Sequence, residues 1–472
     1  MSNLKLLLLH LPFLGVLLYW AINSPSVGGD GDTIFHYYLV DQAQRDPQYF
    51  FDLWGKPFFT LFAYPFVATL GFTGIKIFNV LCGTAAVFVA SLVAKKLKVK
   101  FFYLLPFLAL LAPAYPFYLQ TGLTEPFAAL VLISIVWLFL YEKPLPAYIL
   151  ISFLPYCRSE AKIFLLFFLA FTILQQHYKY VPWLLLGSVV YALAGSLVHG
   201  SVFWIFDSPY ASGASVYGSG PWTHFVDRLF VMLALPSFVL LCLGLARAFY
   251  KVFTDGSYRQ NEMWLIPGLF LAMFSAHTTV WALGIFASAG LDRVLVIVFP
   301  MAWVLMVQGL DLLLFRLKRY PKWAFSLAVL FIAFQVTVTA TSRFTEFFYK
   351  QGTRLTKEQR FVQQEIAPYL QSIENEKGLH LISDEAYLGI ALGKNPKDTL
   401  HFSDWFTLQS DLLQRLTDST LILWDDKVVP VHHGLTLEKM RAKPYLQEVK
   451  HWQTPYEGKH YVLFKPVDSI TN

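Results

Sequence analysis

With 472 residues, 56% of them hydrophobic and 14% charged, and a mean hydropathy of +0.49, the chain is too apolar for a soluble globular protein, which carries about 25% charged residues. Its net charge of +6 says less than where Lys and Arg fall, because membrane proteins sort them by side. Cys82, Cys157 and Cys242 lie far apart in or near apolar segments and offer no spacing for a disulfide framework or a metal site.

The first apolar run, 4–22, is long enough to cross a bilayer. No A-x-A site follows it, so it reads as an uncleaved span rather than a signal peptide. Gly28-Gly-Asp-Gly-Asp-Thr-Ile-Phe-His-Tyr-Tyr38 comes next. It sets two carboxylates, Asp30 and Asp32, one residue apart, with His36 one helical turn beyond Asp32. Ile34–Gln44 reads as a short amphipathic helix, Trp54-Gly-Lys-Pro57 as a turn, and Phe58–Leu70 as an apolar helix broken by Pro65. The two helices are expected to lie along the membrane surface.

Further spanning runs are expected near 75–94, 101–119, 125–141, 146–157, 162–175, 182–199, 228–250, 263–282, 292–314 and 323–341, making about eleven spans. Gly200–Thr223 reads as a long Gly, Ser, Tyr and Pro loop. Alternating sides along the chain put fourteen Lys and Arg, from Lys5 to Lys322, with the N-terminus and seven, from Arg45 to Arg293, opposite. The positive-inside rule then places the N-terminus inside and the Asp32 loop outside. From about Phe344 charged residues return. Strands are expected at His380–Ser383, Thr420–Trp424 and Tyr461–Phe464, and helices at Lys357–Asn375, Asp404–Leu416 and Thr436–Val449. The fold class is therefore a polytopic α-helical membrane protein, residues 1–342, followed by a small, largely parallel α/β domain outside the membrane, residues 343–472.

Ionisable residues at membrane depth are costly and mark function. On the outer side they recur at span ends: Asp30 and Asp32, Glu125, Arg158 and Glu160, His277, and Asp292-Arg293. A carboxylate beside a cationic pocket suits general-base chemistry with a phosphate leaving group neutralised by Arg. The local alternatives stand beside this reading. Thr124-Glu125-Pro126 equally fits a helix N-terminus, His277 equally fits a histidine satisfied within the bundle, and charged span ends equally fit interfacial anchors.

These residues resemble a family. Asp32 with His36-Tyr37-Tyr38 after the first span resembles the acidic outer-loop motif of GT-C glycosyltransferases. Trp54-Gly-Lys-Pro-Phe-Phe59, Gly71 and Lys76-Ile-Phe-Asn79 resemble the segment that follows, and Thr124-Glu125-Pro126, Arg158-Ser-Glu160 and Ser288-Ala-Gly-Leu-Asp-Arg293 with Pro300 resemble later landmarks. The similarity covers about residues 5–315 and lies nearest to bacterial mannosyl or dolichyl-phosphate-sugar-dependent members. It implies an inverting hexosyl transfer from a polyprenyl-phosphate donor to a glycan, lipid or protein acceptor at the outer face of a bacterial inner membrane, often without a metal. It implies Asp32 as base, with Asp30 in reserve and Glu125 beside them. His36, Lys56, Arg158, Glu160, His277 and Arg293 become substrate contacts. Two departures stand out: Asp32 is followed by Thr33 where an Asp-Glu pair is usual, and Lys56-Pro57 replaces a proline pair. No cofactor is demanded, a divalent metal is left open, and no nucleic acid is expected. The rival readings are a lipid or small-anion transporter with an outer charged pathway, and a noncatalytic assembly protein.

Overall fold

The computed structural model describes residues 1–28, 31–207, 215, 217–314, 321–374, 380–395, 402–403, 420–456 and 458–467. Asp30 and the expected helix Asp404–Leu416 lie outside the described residues. The chain divides into two units. One is Met1–Gly28 with Asp46–Arg354, and the other is Gly29–Arg45 with Leu355–Asn472. This division differs from a single boundary at 342/343, because the helix Arg343–Thr353 joins the first unit and the helix Gly31–Gln42 joins the second.

The first unit is helical, and the chain is an integral membrane protein. Among the described residues six helices are long and apolar enough to cross a membrane: Asn3–Asn23, Pro57–Lys96, Tyr178–His199, His224–Thr254, Trp264–Leu283 and Asp292–Leu313. Shorter apolar helices are Glu125–Leu140, Pro144–Cys157 and the stretch Val329–Thr341. The expected span at 101–119 is not continuous. It breaks into the short helices Leu105–Leu110 and Tyr115–Tyr118, since Pro106, Pro113 and Pro116 each remove a backbone donor.

The helix Asp292–Leu313 is the core of this unit, buried at every residue from 293 to 310. It packs on His224–Thr254 with glycine at the crossing. A Cβ on Gly244 would lie 2.1 Å from the Leu305 carbonyl oxygen, and one on Gly309 2.2 Å from that of Leu240. Backbones this close leave no room for a side chain, the packing solution small residues provide in membranes.

The segment after Lys56 confirms two helices rather than one. Pro65 does not end the first, because the break falls at Gly71, with φ 57° and ψ −138°. Only glycine takes this conformation without strain. The turn is tight enough that a Cβ on Gly74 would meet the Phe66 carbonyl oxygen at 1.9 Å. The Trp54–Pro57 turn forms as expected, with Asp52 Oδ1 accepting the Gly55 amide at 2.7 Å.

The second unit is built on a five-stranded sheet in the order β2-β1-β3-β5-β4. The strands are β1 (His380–Ser383), β2 (Phe402–Ser403), β3 (Thr420–Asp425), β4 (Leu446–Gln453) and β5 (His460–Pro466). β1 runs parallel to β2 and β3, whereas β5 is antiparallel to both β3 and β4. The sheet is thus mixed rather than largely parallel. Ile382, Ile422, Trp424, Val462 and Phe464 form its core with Val429, Leu435 and Met440.

Two expectations need correction here. The helix expected over Thr436–Val449 stops at Arg441, and the chain continues as β4. The helix from Lys357 passes through a π turn at Val362–Ile366 and ends at Ser372. Thr356 and Gln359 close its start as a reciprocal capping box.

Candidate functional site

The helical unit gathers charged side chains at helix ends. Glu125 is the first residue of Glu125–Leu140, with Pro126 behind it, a favourable arrangement because a helix N-terminus attracts an acid and tolerates proline. Phe127 anchors that end, packed against the rings of Phe58, Phe59, Phe62 and Phe78. Asn79 Nδ2 donates to the carbonyls of Thr121 and Leu123, both at 2.7 Å, and fixes the approach to Glu125.

Arg158 follows Pro144–Cys157 in extended backbone, where its side chain leaves the helix axis. Arg293 sits in the 3-10 turn Asp292–Val298 that opens the central helix. Both arginines are 5% exposed and Glu125 is 1% exposed. Arg158 Nη1 lies 3.1 Å from Glu125 Oε1, and Arg293 Nε lies 3.5 Å from the same oxygen. Arg158 Nη1 also donates to Thr124 Oγ1 at 3.2 Å, and Nη2 to Glu160 Oε1 at 2.8 Å. Its Nε is buried without a hydrogen-bond partner among the described residues.

One carboxylate therefore holds two guanidinium groups in a dry environment. The arrangement is compensated only while all members are present. Glu160 extends the cluster. Burial pushes its carboxyl upward, but Arg158, His277 and Lys56 outweigh that and hold it at about 2. His277, on Leu269–Leu283, also meets the Phe225 ring edge-on at 6.0 Å. Lys56 takes a left-handed backbone, φ 64°, and its Nζ donates to the Leu53 carbonyl at 3.0 Å.

Of the residues singled out from sequence, Lys56, Glu125, Arg158, Glu160, His277 and Arg293 are thus interacting groups of one unit. Asp32 and His36 lie on Gly31–Gln42, in the other unit, where Asp32 occupies the first turn and His36 is buried. Asp30 lies outside the described residues. Sequence reasoning missed Tyr118, whose hydroxyl donates to Asp292 Oδ1 at 2.8 Å and fixes the residue before Arg293. No local signal separates it from the other 24 tyrosines among the 25. Among the described residues there is no group of three or more His, Cys, Asp or Glu suited to a metal ion.

The whole chain aligns with the solved structure of ArnT from Cupriavidus metallidurans bound to undecaprenyl phosphate, with a TM-score of 0.61, 13% identity and 100% of both chains covered. It has the ArnT fold. That fold agrees with the multi-helix membrane architecture expected from the sequence. No protein-family model matches the chain, and no curated protein matches it.

Proposed function

We propose that this protein is a glycosyltransferase that moves a sugar, a hexose such as mannose, from a polyprenyl-phosphate donor to an acceptor at the outer face of a bacterial inner membrane. The observation that carries the reading is the buried pair of guanidinium groups sharing Glu125 at apolar helix ends. ArnT, whose fold the chain has, was solved with undecaprenyl phosphate bound, which supports a lipid phosphate as the ligand.

In this reading Arg158 and Arg293 receive the donor phosphate, because guanidinium groups present several N–H donors to phosphate oxygens in fixed geometry. The open Arg158 Nε is one such donor. Glu125 keeps the two cations together, while Lys56, His277 and Glu160 line the reacting groups. Asp32, with His36 on the same helix face, takes the acceptor hydroxyl proton. The acceptor oxygen then forms a bond to the anomeric carbon on the side opposite the phosphate. The carbon–oxygen bond to phosphate breaks, and polyprenyl phosphate leaves with the bonding pair, inverting the anomeric centre.

The test is release of undecaprenyl phosphate from undecaprenyl-phosphate-linked hexoses by purified protein in nanodiscs, with glycan, lipid and protein acceptors added in turn. Asp32→Asn lowers turnover by about 10²–10⁴-fold, the usual worth of a general base. Near wild-type turnover in Asp32→Asn with loss in Asp30→Asn moves the base to Asp30.

A further inference from the structure

The helix carrying Asp32 belongs to the C-terminal unit although about 310 residues separate it from the rest of that unit in sequence. Gly31–Gln42 has 12 residues, a length at which an isolated helix is marginal in water. Its orientation therefore comes from what it packs against. Tyr38, 1% exposed, supplies the most specific contact. Its hydroxyl donates to the Ala386 carbonyl at 2.7 Å and accepts from the Ile390 amide at 2.8 Å. These two groups stand four residues apart in the helix Ala386–Leu392, the spacing that a regular turn closes on itself. The tyrosine hydroxyl is thus seated in the hydrogen-bond ladder of that helix.

A second contact fixes the other end. Asn395 Nδ2 donates to the Tyr38 carbonyl at 3.0 Å and to Asp41 Oδ2 at 2.8 Å. Together these bonds set both the rotation and the tilt of Gly31–Gln42. Asp32 lies six residues before Tyr38 on the same rigid helix, about 9 Å along its axis, so a tilt at Tyr38 displaces the carboxylate.

We propose that the C-terminal unit is a positioning device for the general base, with Tyr38 and Asn395 as its positioning residues: their bonds to Ala386, Ile390 and Asp41 hold the helix that presents Asp32. This rests on the glycosyl-transfer reading above. It gives the sheet domain a role in the chemical step rather than in donor capture. Misplacing a catalytic group by about 1 Å costs up to about 10²-fold in rate, so the loss appears in kcat.

The experiment uses the full chain in nanodiscs. It measures kcat and KM for undecaprenyl-phosphate-linked hexose together with hydrogen exchange over residues 31–42. Asn395→Ala is expected to lower kcat about tenfold with KM within about twofold and to speed exchange in 31–42. Tyr38→Phe, which keeps the ring packing, shifts both readouts in the same direction by less. Arg441→Ala removes an exposed ion pair with Glu448 in the same unit and leaves both readouts unchanged. Unchanged kcat, a change confined to KM, or unchanged exchange in Asn395→Ala overturns the positioning role. A wild-type protein that releases no undecaprenyl phosphate from any donor overturns the glycosyl-transfer reading, and this inference with it. An active wild type with indifferent variants overturns the inference alone.

Discussion

Each unit holds a glutamate at the start of a helix, Glu125 buried and Glu385 partly buried, and the two are held in opposite ways. Glu385 caps Ala386–Leu392. Its Oε2 accepts the Tyr461 hydroxyl at 2.9 Å and lies 3.5 Å from Lys459 Nζ, while Oε1 accepts the Tyr387 amide at 3.4 Å. Both oxygens have directional partners. Glu125 has ion-pair neighbours instead, and neither of its oxygens makes a hydrogen bond among the described residues. Directional bonds to both oxygens describe a fastener. Charges held together with donor capacity left over describe a place where a third charged group can enter.

Arg158 gives the largest contrast. Arg158→Ala strips one cationic partner from Glu125 and from Glu160 together, and turnover is expected to fall by at least about 10²-fold, as for loss of a charge-stabilising donor. Arg158→Lys does not restore it, because a point cation cannot bridge Thr124, Glu125 and Glu160 at once. Substantial rescue by Lys, read in the same release assay, makes the site a simple charge balance.

Stability separates the two glutamates next. Glu125→Gln leaves two buried guanidinium groups facing a neutral amide and is expected to cost about 3–5 kcal/mol, the usual price of breaking a buried pair, read as thermal unfolding in nanodiscs. Glu385→Gln is milder and pH-dependent. Burial raises the Glu385 carboxyl above its ordinary 4.5, against the pull of Lys459 and Tyr461. A raised carboxyl makes the folded state bind its proton more tightly. The contribution of Glu385 to stability is thus full below pH 4.5 and is lost as pH rises through the raised value, and Asp384, also raised by burial, contributes in the same sense. Glu385→Gln flattens that decline. A steeper decline in the variant contradicts the buried placement.

Glu160 gives the smallest effect. Its carboxyl is held at about 2, so its contribution to stability is complete above pH 4.5 and is lost only as pH falls through about 2. It stays ionised at any pH well above 2. The acid limb of the pH–rate profile is therefore expected to persist in Glu160→Gln and to disappear in Asp32→Asn. Loss of the limb in Glu160→Gln transfers the titration to Glu160.

Much of this was readable from residue order. His380–Ser383, Thr420–Trp424 and Tyr461–Phe464 are strands because short β-branched and aromatic runs fill a sheet core. Strand β4 was missed because its exposed residues, Gln447, Glu448 and Val449 among them, give no alternation and sit well in a helical pattern. The end of one helix at Leu70 and the start of the next span near 75 were legible from the apolar runs, but Pro65 sits inside a continuous helix and the break falls at Gly71. Glu125, Arg158 and Arg293 were legible as charges where apolar runs end. That two guanidinium groups share one oxygen was not, since it depends on contacts more than a hundred residues apart. Nor does anything local to Gly31–Gln42 announce that its packing partners come near the C-terminus.

That last separation bears on how the chain is made. Residues 31–42 leave the ribosome about 310 residues ahead of Leu355, where the rest of their unit begins, and at about 5–20 residues per second this is an interval of roughly 15–60 s. Throughout it Ile34, Tyr38, Leu39 and Val40, buried in the finished protein, have no native surface to cover them. Biogenesis must shelter this short stretch until synthesis is almost finished, and a chain cut short before Leu355 leaves it permanently unsheltered, a natural handle for quality-control proteases.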